Sequence, residues 1–290
     1  MRLSRAVGLT VLVTVAGVVI AGMPALAAPA HSAAASTGIC TSAKHPKLAR
    51  RISAGVLAAL AGRTHSSVGL TVSDAREDLS CAYHAGLHFV SASVIKVTII
   101  GALLLKEGGE PGLTKKQHAL AWQMITESSD AAATDLWTEV GMASMQKFLN
   151  KAGMTHTRLN AAAWGLSLLT ARDEMTLLHV LTSAGKVLTT KSRDYVLWLM
   201  SKVTSSQRWG VPAGAPSDVT VHVKNGWLPY PDLRLTATDW HVNSIGAFTG
   251  HDIGYQIVVL TAPHGAQTES YGIATIQAAA KVINAELAKV

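Results

Sequence analysis

The sequence predicts an α+β fold: an antiparallel sheet flanked by N- and C-terminal helices, with an inserted all-helical region. Three observations lead there. Apolar residues recur at helical spacing both early and at the very end of the chain. Strand-like alternation is confined to an early pair and a late trio of segments. Between them the chain reads almost wholly helical.

The elements follow in order. Residues 7–20 are apolar behind Arg2 and Arg5, and Ala25-Leu26-Ala27 fits a small-x-small cleavage site. Residues 1–27 therefore read as a signal peptide cleaved after Ala27, and the protein as secreted. The apolar run is short for a membrane span, so no membrane attachment is expected after cleavage. Residues 28–39 are an Ala/Ser/Pro-rich linker. The domain proper is 40–290, with an α/β part at about 40–92 and 205–290 and an all-α part at about 93–204. Within it, Leu48, Ile52, Val56, Leu57 and Leu60 mark a helix over 47–60, stopped by Gly62. Residues 68–72 and 79–83 read as a hairpin. A mostly apolar helix runs from Ser93 to Leu105 and stops at Gly108-Gly109. Helices fill 114–181, with breaks near Gly141, Gly153 and 164–167, and another covers 192–203. Strands follow at 219–223, 242–249 and 255–261, and an amphipathic helix at 271–287 closes the chain.

The formal net charge is +7 and the pI about 9.5. The basic residues form no cluster or stripe with interleaved aromatics, which argues against nucleic acid as a partner. The excess fits a soluble secreted protein near anionic cell-wall polymer or anionic ligands, and a monomer is expected. The only cysteines, Cys40 and Cys81, can pair in an oxidising compartment; the alternative is two separate buried thiols. No zinc-ligand pattern such as His-Glu-x-x-His occurs, and no cofactor or metal is expected.

Three motifs carry chemistry. The first is Ser93-Val94-Ile95-Lys96, which opens the apolar helix. Residues three apart on a helix share a face, so the Lys96 amine can take a proton from Ser93. A helix N-terminus also favours the oxyanion that such a serine generates. Ser144/Lys147 and Ser183/Lys186 repeat the spacing, so the motif gains weight only from the other two. The second is Ser128-Ser129-Asp130, before an apolar helix, which offers a hydroxyl relay and a polar partner, or simply an N-cap. The third is Lys224-Asn225-Gly226-Trp227 on a late strand. There the glycine admits a ligand close to the backbone and the lysine supplies positive charge; the plain alternative is an Asn-Gly turn.

The order and spacing of these motifs resemble the penicillin-recognising serine hydrolases, most closely the class A β-lactamase family, whose motifs are Ser-x-x-Lys, Ser-Asp-Asn and Lys-Thr-Gly. The resemblance spans essentially the whole mature chain. Phrases such as Lys224-Asn225-Gly226-Trp227-Leu228-Pro229 and Trp240-His241-Val242-Asn243-Ser244-Ile245-Gly246 look like secreted serine hydrolases of actinomycetes. The resemblance implies Ser93 as the acyl-accepting nucleophile and Lys96 as its base. Ser128 would be the proton shuttle to the leaving nitrogen, assisted by Lys224. The N–H groups of Ser93 and Trp227 would be the oxyanion hole, and Asp130, Lys224, Asn225, Gly226 and Trp227 the substrate-binding wall. The substrate would be a small molecule or a peptidoglycan-related compound.

This chain departs from the family at three places. Ser-Ser-Asp stands for Ser-Asp-Asn, and an ionised aspartate only accepts hydrogen bonds. Lys-Asn-Gly stands for Lys-Thr-Gly. Most important, the family's deacylating glutamate has no counterpart: no Asp or Glu occurs between Glu139 and Asp173, and the loop at about 156–169 is apolar and shortened. Asp173 and Glu174 read as charges at the start of the next helix. Acylation is therefore expected to survive and deacylation to be crippled. This leaves a β-lactamase, a D-alanyl peptidase or esterase, and a penicillin-binding module with little turnover as the readings. Lesser candidates are Trp164, Trp209 and Trp227 as cleft or core residues, His222 facing either way, and Arg234 as a carboxylate ligand.

Overall fold

The computed structural model describes residues 38–231, 238–250, 254–264 and 267–290. The predicted signal peptide, most of the predicted linker and Arg234 lie outside the described residues.

Six strands form one antiparallel sheet in the order β1-β3-β2-β8-β7-β6. They are β1 (Cys40–Thr41), β2 (Ser66–Asp74), β3 (Leu79–Tyr83), β6 (Thr220–Pro231), β7 (Thr238–Thr249) and β8 (Gly254–Pro263). The first and last helices, α1 (Pro46–Ala61) and α7 (Glu269–Leu287), pack together on one face. Alternation along β8 explains the layering. Tyr255, Ile257 and Val259 join the core under α1 and α7, with Leu48, Ile52, Ile276 and Ile283. Val258 and Leu260 point the other way, into the core of the helical region. The predicted α+β fold with terminal helices and an inserted helical block is the observed one.

The helical block is built around α2 (Ile95–Lys106), whose residues from Ile95 to Leu104 are all buried. A helix apolar on every side can only be a core helix. Around it stand α3 (Lys115–Thr126), α4 (Asp130–Ala152), α5 (Ala171–Thr182) and α6 (Thr190–Ser201). Gly141 has φ +74° and kinks α4 at the predicted break.

Several boundaries differ from the sequence reading. Ser93 lies in a 3-10 turn, Ala92–Val94, that precedes α2 rather than inside its first turn. A two-stranded sheet of β4 (His88–Val90) and β5 (Leu168–Thr170) joins the approach to Ser93 to the shortened loop. Three-residue strands are too short to leave a readable alternation. β6 runs on through Pro231, so Lys224-Asn225-Gly226 lies within a strand and Asn-Gly makes no turn. Pairing with β7 overrides the local turn preference.

Cys40 and Cys81 are cross-strand partners of β1 and β3 and are disulfide-bonded. The bond joins positions 41 apart in sequence. Replacing both cysteines by serine is expected to lower stability by about 2–4 kcal/mol. A fall in Tm and in denaturant midpoint, with the folded-state spectrum unchanged, checks this.

Candidate active site

The candidate site forms where three chain segments meet at strand β6, which ends the order of the six-stranded sheet. Ser93 comes from the turn between β4 and α2, Ser128 from the α3–α4 connection, Asp130 from the first residue of α4, and Lys224 from β6. The turns carrying the serines are tightly bent. Ala92, next to Ser93, has φ +44°, and Ser128 itself has φ +58°, both left-handed values that non-glycine residues rarely adopt. Such strain persists only where the surroundings over-determine it.

Gly226 shows how closely β6 approaches Ser93. A Cβ at this position would lie 2.6 Å from the Ser93 backbone N and 2.8 Å from that of Val94. Only a residue without a side chain allows that contact, and so the first and third motifs meet backbone to backbone. The turn is held in place by Asn243 on β7, the register partner of Gly226. Its amide donates to the carbonyls of Val90 (2.8 Å) and Ser91 (3.2 Å), while its oxygen accepts from the Thr261 N–H. Sequence reading assigned Asn243 no role. The available signal was an amide side chain at an alternating position of the predicted 242–249 strand, shared with Ile245 and Ala247.

Ser128 Oγ is the centre of the polar network. Lys224 Nζ donates to it at 2.9 Å and Lys96 Nζ at 3.2 Å. Lys96 also donates to the Ser128 carbonyl (2.7 Å) and to Asp130 Oδ1 (2.6 Å). Lys224 also donates to the Asn225 carbonyl at 2.8 Å. Both lysines are fully buried. Burial lowers the Lys96 ammonium from its ordinary range, with Asp130 opposing through a hydrogen bond and its charge. Lys224 is lowered further, by burial first and then by the charge of Lys96, with Asp130 again opposing. Ser93 Oγ is half-buried and has no hydrogen-bond partner among the described residues, so it is open to a ligand.

Asn225 is turned elsewhere. Its side chain is fully buried, and its amide donates to the carbonyls of Gln207 (2.7 Å) and Trp209 (2.9 Å). It therefore fastens the 204–210 loop to β6. Gln207 extends the fastening to the Glu127 carbonyl at 2.9 Å, beside Ser128. The Trp209 and Trp227 rings meet edge to face at 5.6 Å, both half-exposed or packed against the sheet core. His222 shares a face of β6 with Lys224 but is committed to other partners. It is buried between the Leu197 carbonyl (2.7 Å) and Thr249 Oγ1 (2.8 Å), and burial lowers its titration.

Two acids, Asp173 and Glu174, stand in the first turn of α5, and neither hydrogen-bonds to Ser93, Lys96, Ser128 or Lys224. Asp173 accepts from the His156 N–H and Thr157 Oγ1, both at 2.8 Å, and so holds that loop down. Glu174 is fully buried, and neither of its oxygens has a partner among the described residues. Burial, with the neighbouring Asp173 charge second, pushes its carboxyl up to about 8. No cluster of His, Cys, Asp or Glu suited to a metal occurs among the described residues.

A profile of the β-lactamase enzyme family matches residues 106–287, more than half of the chain, and the chain therefore belongs to that family. The matched stretch includes Ser128, Asp130 and Lys224 and begins beyond Lys96. Solved structures share the fold. A class A β-lactamase from Bacteroides cellulosilyticus is similar at 17% identity and a TM-score of 0.68, over 83% of this chain and 98% of that one. A β-lactamase from Streptosporangium roseum is similar at 18% identity and 0.68, over 83% and 100%. A class A β-lactamase from Mycobacterium abscessus is similar at 20% identity and 0.64, over 78% and 96%. No curated protein matches the chain in sequence.

Two outcomes follow from this geometry. Gly226→Ala drives a methyl into the Ser93 turn, and reaction at Ser93 with a penicillin, the chemistry proposed below, is expected to slow by about 100-fold, the scale of a misplacement near 1 Å. Mass-detected acylation, measured at a temperature where circular dichroism shows the variant folded, checks it. For Glu174, the folded state keeps its proton up to about 8 while the unfolded chain releases it near the ordinary 4.5. Stability is therefore greatest below that lower value and falls as pH rises towards 8, by at most about 1.4 kcal/mol per pH unit. Glu174→Gln is expected to remove this slope in denaturant midpoints measured from pH 5 to 8.

Proposed function

We propose that this member of the β-lactamase enzyme family is an exported serine hydrolase that works through an acyl-Ser93 intermediate on a small-molecule amide or ester. The observation that carries the reading is the placing of one hydroxyl, Ser128 Oγ, between two buried lysines at 2.9 and 3.2 Å, with Ser93 one turn before the second of them.

In the proposed reaction Lys96, as the neutral amine, takes the Ser93 proton while Oγ bonds to the substrate carbonyl carbon. Negative charge on the carbonyl oxygen is met by the N–H groups of Ser93 and Trp227. As the carbonyl re-forms, the bond to the leaving nitrogen breaks. Ser128 gives that nitrogen its hydroxyl proton and is resupplied by the Lys96 ammonium across their 3.2 Å contact. Burial makes the amine form of Lys96 accessible, and the Asp130 ion pair limits it. Lys224 assists Ser128 and supplies positive charge for a substrate carboxylate. Asp130, Gly226 and Trp227 complete the wall. Asn225 contributes by holding the 204–210 loop, since its amide is already committed.

The loop between Asn160 and Thr170 carries no carboxylate. That favours a second reading for the later half of the cycle: slow discharge, as in a penicillin-binding module with little turnover, or a preference for esters or D-alanyl peptides over lactams.

Intact mass against time, with a penicillin and a Ser93→Ala control, tests the proposal. A single adduct is expected on the wild-type protein, absent from Ser93→Ala and slow to decay. Equal labelling of both proteins would remove Ser93 as the nucleophile, and labelling of neither would remove lactams as its substrates.

A further inference from the structure

The cleft holds one aromatic side chain whose position demands an explanation. The Trp164 ring centroid lies 4.9 Å from Lys96 Nζ. Its Nε1–H donates to Thr134 Oγ1 at 3.1 Å, and Thr134 Oγ1 in turn donates to the Asp130 carbonyl at 2.9 Å. The backbone beneath it is tied to the other motif: Ser91 Oγ donates to the Gly165 carbonyl at 3.1 Å and the Ser91 N–H to the Ser167 carbonyl at 2.8 Å. Trp164 is thus fastened to the segments bearing Ser93 and Asp130 at once.

Burial adds the second argument. Asp130 and Lys96 are an ion pair, yet the Asp130 side chain is 77% exposed while that of Lys96 is 0% exposed. The buried helix α2 and the Ser128 contacts enclose part of the amine, and the Trp164 ring lies against it as well. The indole face is suitably placed: it attracts the ammonium through its quadrupole and gives water no hydrogen bond in return. It also stands in the shortened loop that has no acid to activate water.

We propose that Trp164 is a positioning residue that shields Lys96 from solvent and so slows hydrolytic discharge of the acyl enzyme. The discharge claim rests on the acyl-Ser93 reading; the shielding claim does not. In the step concerned, water oxygen bonds to the ester carbonyl carbon and Lys96 amine takes the water proton. The carbon–Oγ bond then breaks, and Ser93 recovers a proton from the Lys96 ammonium. Water excluded from Lys96 cannot enter this step.

The experiment compares the wild type with Trp164→Phe and Trp164→Ala in two readouts. Brief treatment with acetic anhydride, followed by peptide mass mapping, reports access to the Lys96 amine against the exposed Lys44 as internal standard. Penicillin adduct lifetime reports discharge. Trp164→Ala is expected to raise Lys96 acetylation relative to Lys44, and the decay rate of the adduct, each by at least about 10-fold. Trp164→Phe, which keeps a ring face, is expected to stay within about 3-fold of wild type in both. Unchanged Lys96 labelling in a Trp164→Ala protein that melts normally overturns the shield, and labelling that rises without faster decay overturns its link to discharge. Should Trp164→Ala not fold, Thr134→Val frees the indole while leaving it present, and a rise in Lys96 labelling is expected there too; none would overturn the proposal. Failure of all the proteins to form a penicillin adduct defeats the discharge claim, while acetylation still decides the shield.

Discussion

Everything in the cleft depends on two lysine ammonium groups being drawn to one hydroxyl inside the protein. Lys96 and Lys224 approach Ser128 Oγ from α2 and β6, and both are cut off from water. Like charges at such range in a poorly solvated site repel strongly, and the Asp130 carboxylate and the carbonyls of Ser128 and Asn225 offset them. The arrangement is tolerable if one lysine gives up its proton readily. That same property makes a lysine a base. Unfavourable electrostatics and chemical competence are here one feature, which is the common state of affairs in sites that shift pKa by burial.

The fold holds these groups together against their repulsion. α2 is embedded in the helical core and cannot shift without exposing apolar surface from Ile95 to Leu104. β6 is locked by its register with β7, and Gly226 lets it sit against the Ser93 turn. Asn243 and Asn225 then convert buried amide groups into struts, one to the Ser93 turn and one to the 204–210 loop. A buried amide that satisfies backbone carbonyls on another segment fixes relative position as well as energy. These two asparagines therefore define the cleft without facing a substrate.

Much of this was legible in the sequence, for identifiable reasons. Long periodic segments such as α1, α7 and the α2 core helix announce themselves, and the order of the strand pair and trio predicts the sheet. The three motifs gained meaning through their order along the chain, and the structure brings Ser93, Lys96, Ser128, Asp130, Lys224 and Gly226 to one cleft. What escaped is non-local. β4 and β5 are too short to have a period. The extension of β6 through Asn225-Gly226 depends on a partner strand that local turn preference knows nothing of. The direction of the Asn225 side chain, the strut made by Asn243 and the burial of Glu174 follow from which segments pack together, which no single segment encodes. The absence of acids between Glu139 and Asp173 was visible in the sequence; the Trp164 ring 4.9 Å from Lys96 Nζ was not.

The central claim is that the cleft holds its two lysines off their ordinary protonation. Selective isotope labelling of lysine side chains, with NMR titration of the ε-methylene signals and assignment by Lys96→Arg and Lys224→Arg, measures this directly. The account predicts that both lysines titrate below the ordinary lysine value of 10.5, with Lys224 the lower. Titration of both at that ordinary value would contradict it.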